Sequence, residues 1–187
     1  IKNRIIQLIQ NRVYRNTAVG NFFVNTYFSF KKHKFDVEIY AEDFDLQYNE
    51  LIKSRHLLPK KMNKNDVIIF FYYDYDDFIN YLNQYKNCKK VLFYQNITDP
   101  KLLQIFEVES ATRCKDALKE LENNIEIFDI LIANSTKTKK DLQNILTNRL
   151  KFIDDVKKST EYLNSNLNAF LNNMEAKFKN FSSVFLK

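Results

Sequence analysis

Four clusters of polar side chains, each standing directly after an apolar run, carry the residue types that could do chemistry here. Gln95, Asn96 and Thr98 follow VLFY in VLFYQNITDP, and Ser135 closes DILIANS. Tyr73, Asp74, Asp76 and Asp77 follow VIIFFY, while Gly20 and Asn21 stand in TAVGN near the start of the chain. Amides and hydroxyls in such places orient hydroxyl-bearing ligands through hydrogen bonds, but glutamine can carry neither a proton nor a charge. The aspartates can bind a metal or sugar hydroxyls, or complement the positive end of a helix beginning near Phe78; the macrodipole favours the helix. A loop at Gly20 either brings backbone N–H groups to an anion at a helix start or makes a tight turn.

Several chemistries are excluded. With Gly20 as the only glycine, neither GxGxxG nor GxxxxGK[ST] exists, which removes ordinary dinucleotide and P-loop binding. There is no GxSxG elbow and no HExxH, and His33 and His56 have no evident catalytic partner. Cys88 and Cys114 match no zinc or disulfide pattern, so a reducing cytoplasm is expected, with no metal and no cofactor.

Short apolar runs that stop abruptly in polar residues are how buried parallel strands deliver their C-terminal ends to a crevice. Strands are predicted at residues 4–9, 37–40, 67–71, 91–94 and 127–133. Helices are predicted at 19–30, where Val19, Phe22, Phe23, Tyr27 and Phe30 recur at helical spacing, at 78–85, and at 100–121. A further helix starts at Ser135 or Thr136 and continues past Leu142, while 42–64 reads as polar and irregular, with a turn at Pro59. Strands alternating with helices predict an α/β domain over 1–150, Rossmann-like, with a parallel sheet and helices on both faces. Residues 151–187 read as an amphipathic helical extension, with Leu163, Leu167, Phe170, Met174, Phe178 and Phe181 three or four apart. Its stripe either packs on the α/β body or makes 155–187 a homo- or hetero-oligomerisation helix or a membrane-surface helix.

At 187 residues, 45% hydrophobic and 28% charged, the composition is that of a globular protein. No apolar run approaches the ~20 residues of a membrane span, and Gln7 and Gln10 interrupt the only leader-like stretch, at Ile5, Ile6, Leu8 and Ile9. The formal charge of +6 accompanies a single glycine and two prolines, a compositional drift that explains much of the lysine excess. Nucleic acid is therefore not an expected partner, in the absence of a recognised motif or an aromatic–basic strand pattern. A weak attraction to anionic membrane surfaces survives as a peripheral contact.

In order and spacing, five segments resemble the N-terminal domain of GT-B-fold glycosyltransferases, the retaining nucleotide-sugar enzymes of bacterial polysaccharide and lipopolysaccharide assembly. They are AVGN (18–21), VEIYAEDFD (37–45), NDVIIFFY (65–72), KKVLFYQNITDP (89–100) and FDILIANS (128–135), covering roughly residues 4–145. The resemblance implies the acceptor-side half of a two-domain enzyme whose strand-end loops reach the transferred sugar. It makes Gln95 the candidate catalytic position, with Gly20, Asn21, Tyr73, Asp74, Asn96, Thr98 and Ser135 as candidate substrate contacts. It implies a nucleotide sugar shared with a donor-binding domain not in this chain, and a glycan or lipid-linked acceptor at the inner face of the cytoplasmic membrane. Four positions depart from the family: Gln95 replaces the usual His, Thr17 the usual Asp, and Arg15 and Asn16 the glycines of the first loop. A non-catalytic domain for assembly or glycan binding is the alternative expectation.

Overall fold

Each apolar run becomes a strand of one sheet, and most strands extend further than the runs themselves. The computed structural model describes residues 4–185, with side chains described for 4–169 and 172. The strands are β1 (Ile5–Val13), β2 (Asp36–Phe44), β3 (Lys53–Ser54), β4 (Val67–Tyr72), β5 (Lys89–Tyr94) and β6 (Ile130–Ala133). Every pairing is parallel, and the order is β3-β2-β1-β4-β5-β6. The order reverses between β1 and β4, the switch point beside which ligands bind in open α/β sheets. The helices are α1 (Ala18–Lys32), α2 (Phe78–Tyr81), α3 (Pro100–Leu103), α4 (Val108–Asn124) and α5 (Thr136–Phe185).

β4 and β5 are nearly continuous apolar runs because both of their faces are covered. On one face Phe70, Tyr72, Leu92 and Tyr94 share a core with Ile79 of α2, Leu121 of α4 and Leu142 of α5. On the other, Leu8, Ile39 and Phe71 meet Phe23 and Val24 of α1. Phe23 stands edge-on to Phe71, with ring centroids 4.9 Å apart. Thr17 caps α1 by accepting from the Gly20 N–H at 3.1 Å. Gly20 is required there: a Cβ would lie 2.4 Å from the Tyr14 carbonyl oxygen and 2.7 Å from Thr17 Oγ1.

The structure corrects several expected boundaries. β1 continues through Gln10 to Val13: β2 and β4 flank it as far as Gln10, and β2 alone pairs it at Arg12 and Val13, whatever its side chains are. Residues 42–57 are more ordered than expected, holding the end of β2, the two-residue β3, and 3₁₀ turns at Leu46–Tyr48 and Arg55–Leu57, while 58–64 carry no helix or strand. The helix expected at 78–85 is one α-turn followed by a 3₁₀ turn at Leu82–Gln84. The helix expected at 100–121 is two helices: Phe106 and Glu107 both donate to the Leu103 carbonyl and close α3, leaving Ile105 and Phe106 exposed. β6 starts later than expected, at Ile130; before it, the Asp129 N–H donates to the Lys90 carbonyl and the Asp129 carboxylate accepts from the Lys90 N–H.

The chain divides into two compact units between Leu146 and Thr147. In the second unit Val156, Tyr162, Leu163 and Leu167 are exposed. The stripe positions Phe170, Met174, Phe178 and Phe181 lie outside the residues whose side chains are described. Among the described residues no helix is long and apolar enough to cross a membrane.

Candidate functional site

The C-terminal ends of β4 and β5 place two different polar groups on one rim of the sheet. At β5 the ladder continues one residue beyond the strand, with the Gln95 N–H donating to the Tyr72 carbonyl at 2.9 Å. By strand alternation Gln95 shares the α1 face with Phe93. The residue is 8% exposed, and its Oε1 has no hydrogen-bond partner. Asn96 then turns into the left-handed region at φ 100°, and its Oδ1 is likewise shielded and unpartnered. Asn is among the few residues that tolerate this backbone, and strain of this kind gathers at ligand-handling sites. The turn is closed by the Ile97 N–H on the Tyr94 hydroxyl at 3.2 Å, a phenol that burial pushes up to about 12. Asn134 Nδ2 reaches the Gln95 carbonyl at 3.4 Å, linking this loop to the end of β6. A buried amide oxygen without a donor costs about 1–3 kcal/mol. The loop therefore holds two acceptors without donors, shielded as the Gln7 and Gln10 Oε1 atoms of β1 also are, which a hydroxyl or water reaches only when the turn shifts.

At β4 the chemistry is ionic. Arg55 Nη1 donates to both oxygens of Asp76 at 2.7 Å, its Nε donates to Glu42 at 3.1 Å, and its guanidinium lies 4.5 Å from the Phe78 ring centroid. Behind the pair, Glu120 of α4 accepts from the Tyr72 hydroxyl at 2.9 Å and from the Asp76 N–H at 3.1 Å. Burial raises the pKa of both carboxyls; Arg55 partly offsets this at Asp76, and hydrogen bonds do so at Glu120. Asp74 is held by Arg113 of α4, whose Nε lies 2.7 and 2.8 Å from its two oxygens. Tyr73 donates to the Arg12 carbonyl at 3.2 Å, and burial pushes its phenol up to about 12. A cavity of about 410 Å³ opens here, lined by Asn11, Glu42, Arg55, Tyr75, Asp76 and Arg113 among others.

Arginines thus stand where a cation would have to bind Asp74 or Asp76. Among the described residues no group of three His, Cys, Asp or Glu side chains is placed to hold a metal ion. Asp77 occupies the cap position of α2 without a capping hydrogen bond, while Asp76 supplies one to the Phe78 N–H at 3.2 Å.

The remaining predicted residues serve helix starts and loops. The Gly20 and Asn21 N–H groups are both committed to Thr17. Ser135 and Thr138 cap α5 reciprocally, each backbone N–H donating to the other's hydroxyl, at 3.0 and 3.2 Å. Thr98 stands exposed in the loop between β5 and α3. His56 Nδ1 pairs with Ser54 Oγ at 2.8 Å in an exposed setting, and His33 is the exposed C-cap of α1. Gln95 and Asn96 therefore form one group with Asn134, whereas Tyr73 and Asp74 belong to the ionic cluster.

Sequence reasoning missed Arg55, Arg113 and Glu120. Only Glu120 left a signal, as an acid between Ala117 and Leu121 on the buried stripe of α4. Arg55 and Arg113 are single charges within polar stretches and become visible only when the chain folds.

The fold and rim define a Rossmann-like α/β domain with an amide-rich loop beside an ion-paired cluster at its switch-point end. The sequence matches no protein-family model and no curated protein.

Proposed function

We propose that this domain is the acceptor-side half of a GT-B-type glycosyltransferase, binding a glycan or lipid-linked acceptor at the end of β5. The observation that carries the reading is the pair of shielded, unpartnered amide oxygens on Gln95 and Asn96, set on a left-handed turn. Sugar hydroxyls are donors as well as acceptors and complement such a pair. Positioning an acceptor hydroxyl is the contribution that a non-titrating amide can make to group transfer. A diphosphate is a poorer match: Arg55 and Arg113 are each committed to carboxylates, and the Gly20 N–H to Thr17. The nucleotide sugar accordingly belongs to a donor-binding domain or chain that completes the enzyme. The expected setting is the cytoplasm, at the inner face of the cytoplasmic membrane.

A second reading, a non-catalytic glycan-binding domain, is favoured by the absence of a titrating group at Gln95 itself. The two separate by turnover in the completed enzyme. Gln95→Ala lowers turnover by up to about 10²-fold if the amide orients a reacting group. Unchanged turnover supports the non-catalytic reading. Calorimetry on the isolated chain is expected to show no binding of UDP- or GDP-hexoses, and a saturable heat would overturn the acceptor-side assignment.

A further inference from the structure

Three cavities meet at Tyr75, in the turn after β4. One of about 410 Å³ opens toward Glu42 and Arg55, one of about 520 Å³ toward Thr112, and one of about 360 Å³ toward Asn80 and Asn124. The first two also share Arg113 and the last two share Asp116, so together they make one groove along α4. From Arg113 to Asn124 that helix rises about 16 Å, a span longer than a single six-membered ring.

Tyr75 is a fixed platform in this groove. Its N–H donates to Asp74 Oδ1 at 2.8 Å, and its carbonyl accepts from Asn11 Nδ2 at 3.1 Å. Asp74 is itself clamped by Arg113. Tyr75 is 39% exposed, and among the described residues no ring or cation packs on it and its hydroxyl has no partner. At the far end Asn124 Nδ2 donates to Asn80 Oδ1 at 3.1 Å and joins α4 to α2. Between the two, Asp116, Lys119 and Asn123 follow one another at helical spacing on α4. All three are exposed, with no hydrogen bond or ion pair among the described residues.

An open aromatic face among planar amides and carboxylates suits a ligand with an apolar face and a polar edge. A pyranose is such a ligand: its C–H face packs on the ring while its hydroxyls donate and accept around it. The charges narrow the choice further. Arg55 and Arg113 are answered by Glu42, Asp76 and Asp74, and Lys119 is outnumbered by Asp77 and Asp116. This acidic excess opposes phosphates and nucleic acid. Lys119 and the Nη groups of Arg113, which make no hydrogen bond among the described residues, work against a polycation. We infer that the groove binds a neutral oligosaccharide, with one sugar ring stacked on Tyr75 and its hydroxyls shared between Asp116 and Arg113. The groove lies on the α4 side of the sheet, opposite the α1 face that Gln95 shares, so it does not rest on the acceptor assignment at β5.

The full chain, isotope-labelled at tyrosine, is titrated with maltohexaose, mannohexaose and chitohexaose, with spermine and tripolyphosphate as charged controls. At least one oligosaccharide is expected to shift the Tyr75 ring resonances saturably. Tyr75→Ala should weaken its binding, measured by calorimetry, about tenfold, the scale of one strong aromatic contact. Tyr75→Phe should retain the binding, because the ring and not the hydroxyl makes the platform. Both variants should melt as the parent does, since Tyr75 is exposed. Four results would each overturn the proposal: no Tyr75 shift with any oligosaccharide, binding indifferent to Tyr75→Ala, a Tyr75 shift driven only by spermine or tripolyphosphate, or a response confined to the Gln95 and Asn96 amides. The last would leave the acceptor reading standing by itself.

Discussion

Arg55 and Asp76, 21 residues apart in sequence, meet through two 2.7 Å hydrogen bonds with both side chains buried. The pair ties the turn after β3 to the turn after β4 and so sets one wall of the rim cavity. Asp76 carries three further links, from its backbone N–H to Glu120, from its backbone carbonyl to the Ile79 N–H, and from its carboxylate to the Phe78 N–H. Removing Arg55 therefore strands a buried carboxylate. Arg55→Ala should destabilise the domain by about 3–5 kcal/mol, as breaking a buried pair does. The double variant Arg55→Met, Asp76→Leu should lose less than Arg55→Ala alone. Urea unfolding of both variants measures the difference.

Glu120 gives the domain an unusual pH response. Burial raises its folded-state pKa above the ordinary value of 4.5. As pH climbs from that value, the unfolded chain releases its proton first, so this group's contribution to stability falls until the folded carboxyl has also ionised. Glu120→Gln removes the contribution while keeping an acceptor for the Tyr72 hydroxyl and the Asp76 N–H. Melting temperatures from pH 4 to 8 should show the variant gaining on the parent as pH rises. A constant difference between the two would contradict the assignment.

Gly20 should tolerate no side chain. Alanine raises helix propensity, yet its Cβ would press on the Tyr14 carbonyl, a backbone atom that cannot step aside without moving the β1–α1 connection. Overpacking of this sort costs about 1–3 kcal/mol, and at this chain length each kcal/mol lowers the melting temperature by about 2–4 °C. Calorimetric melting of Gly20→Ala tests it.

Ser135 is a helix cap in this structure. Ser135→Ala should cost about 1 kcal/mol through loss of the reciprocal pair with Thr138, and Ser135→Asp should recover most of it. Chemical unfolding of the two variants measures the cap independently of any ligand.

The legible parts of this fold were those that follow from local pattern. β4 and β5 are apolar throughout because helices cover both their faces, and such runs announce themselves. β1 runs through Gln7 and Gln10 because strands on both sides complete its ladder, and on to Arg12 because β2 continues beside it, tertiary causes that local sequence does not carry. β3 is two polar residues, with no periodicity to detect. The break after Leu103 is likewise hidden, since Ile105 and Phe106 suit a continuous amphipathic helix. At the rim, Gln95 and Asn96 were conspicuous as amides ending an apolar run. Their lack of partners and the turn at Asn96 depend on neighbours from β4 and β6. The Arg55–Asp76 and Arg113–Asp74 pairs join residues too far apart for spacing to reveal.

The side-chain amide resonances of Gln95 and Asn96 test the acceptor-side account most directly. Isotope-labelled chain titrated with lipopolysaccharide core oligosaccharides, and separately with UDP- and GDP-hexoses, should show both amides shifting with the oligosaccharides and unmoved by the nucleotide sugars. Gln95→Ala should weaken the oligosaccharide response about tenfold, the scale of one lost hydrogen bond. Saturable shifts with the nucleotide sugars alone, or amides unmoved by every oligosaccharide, would contradict it.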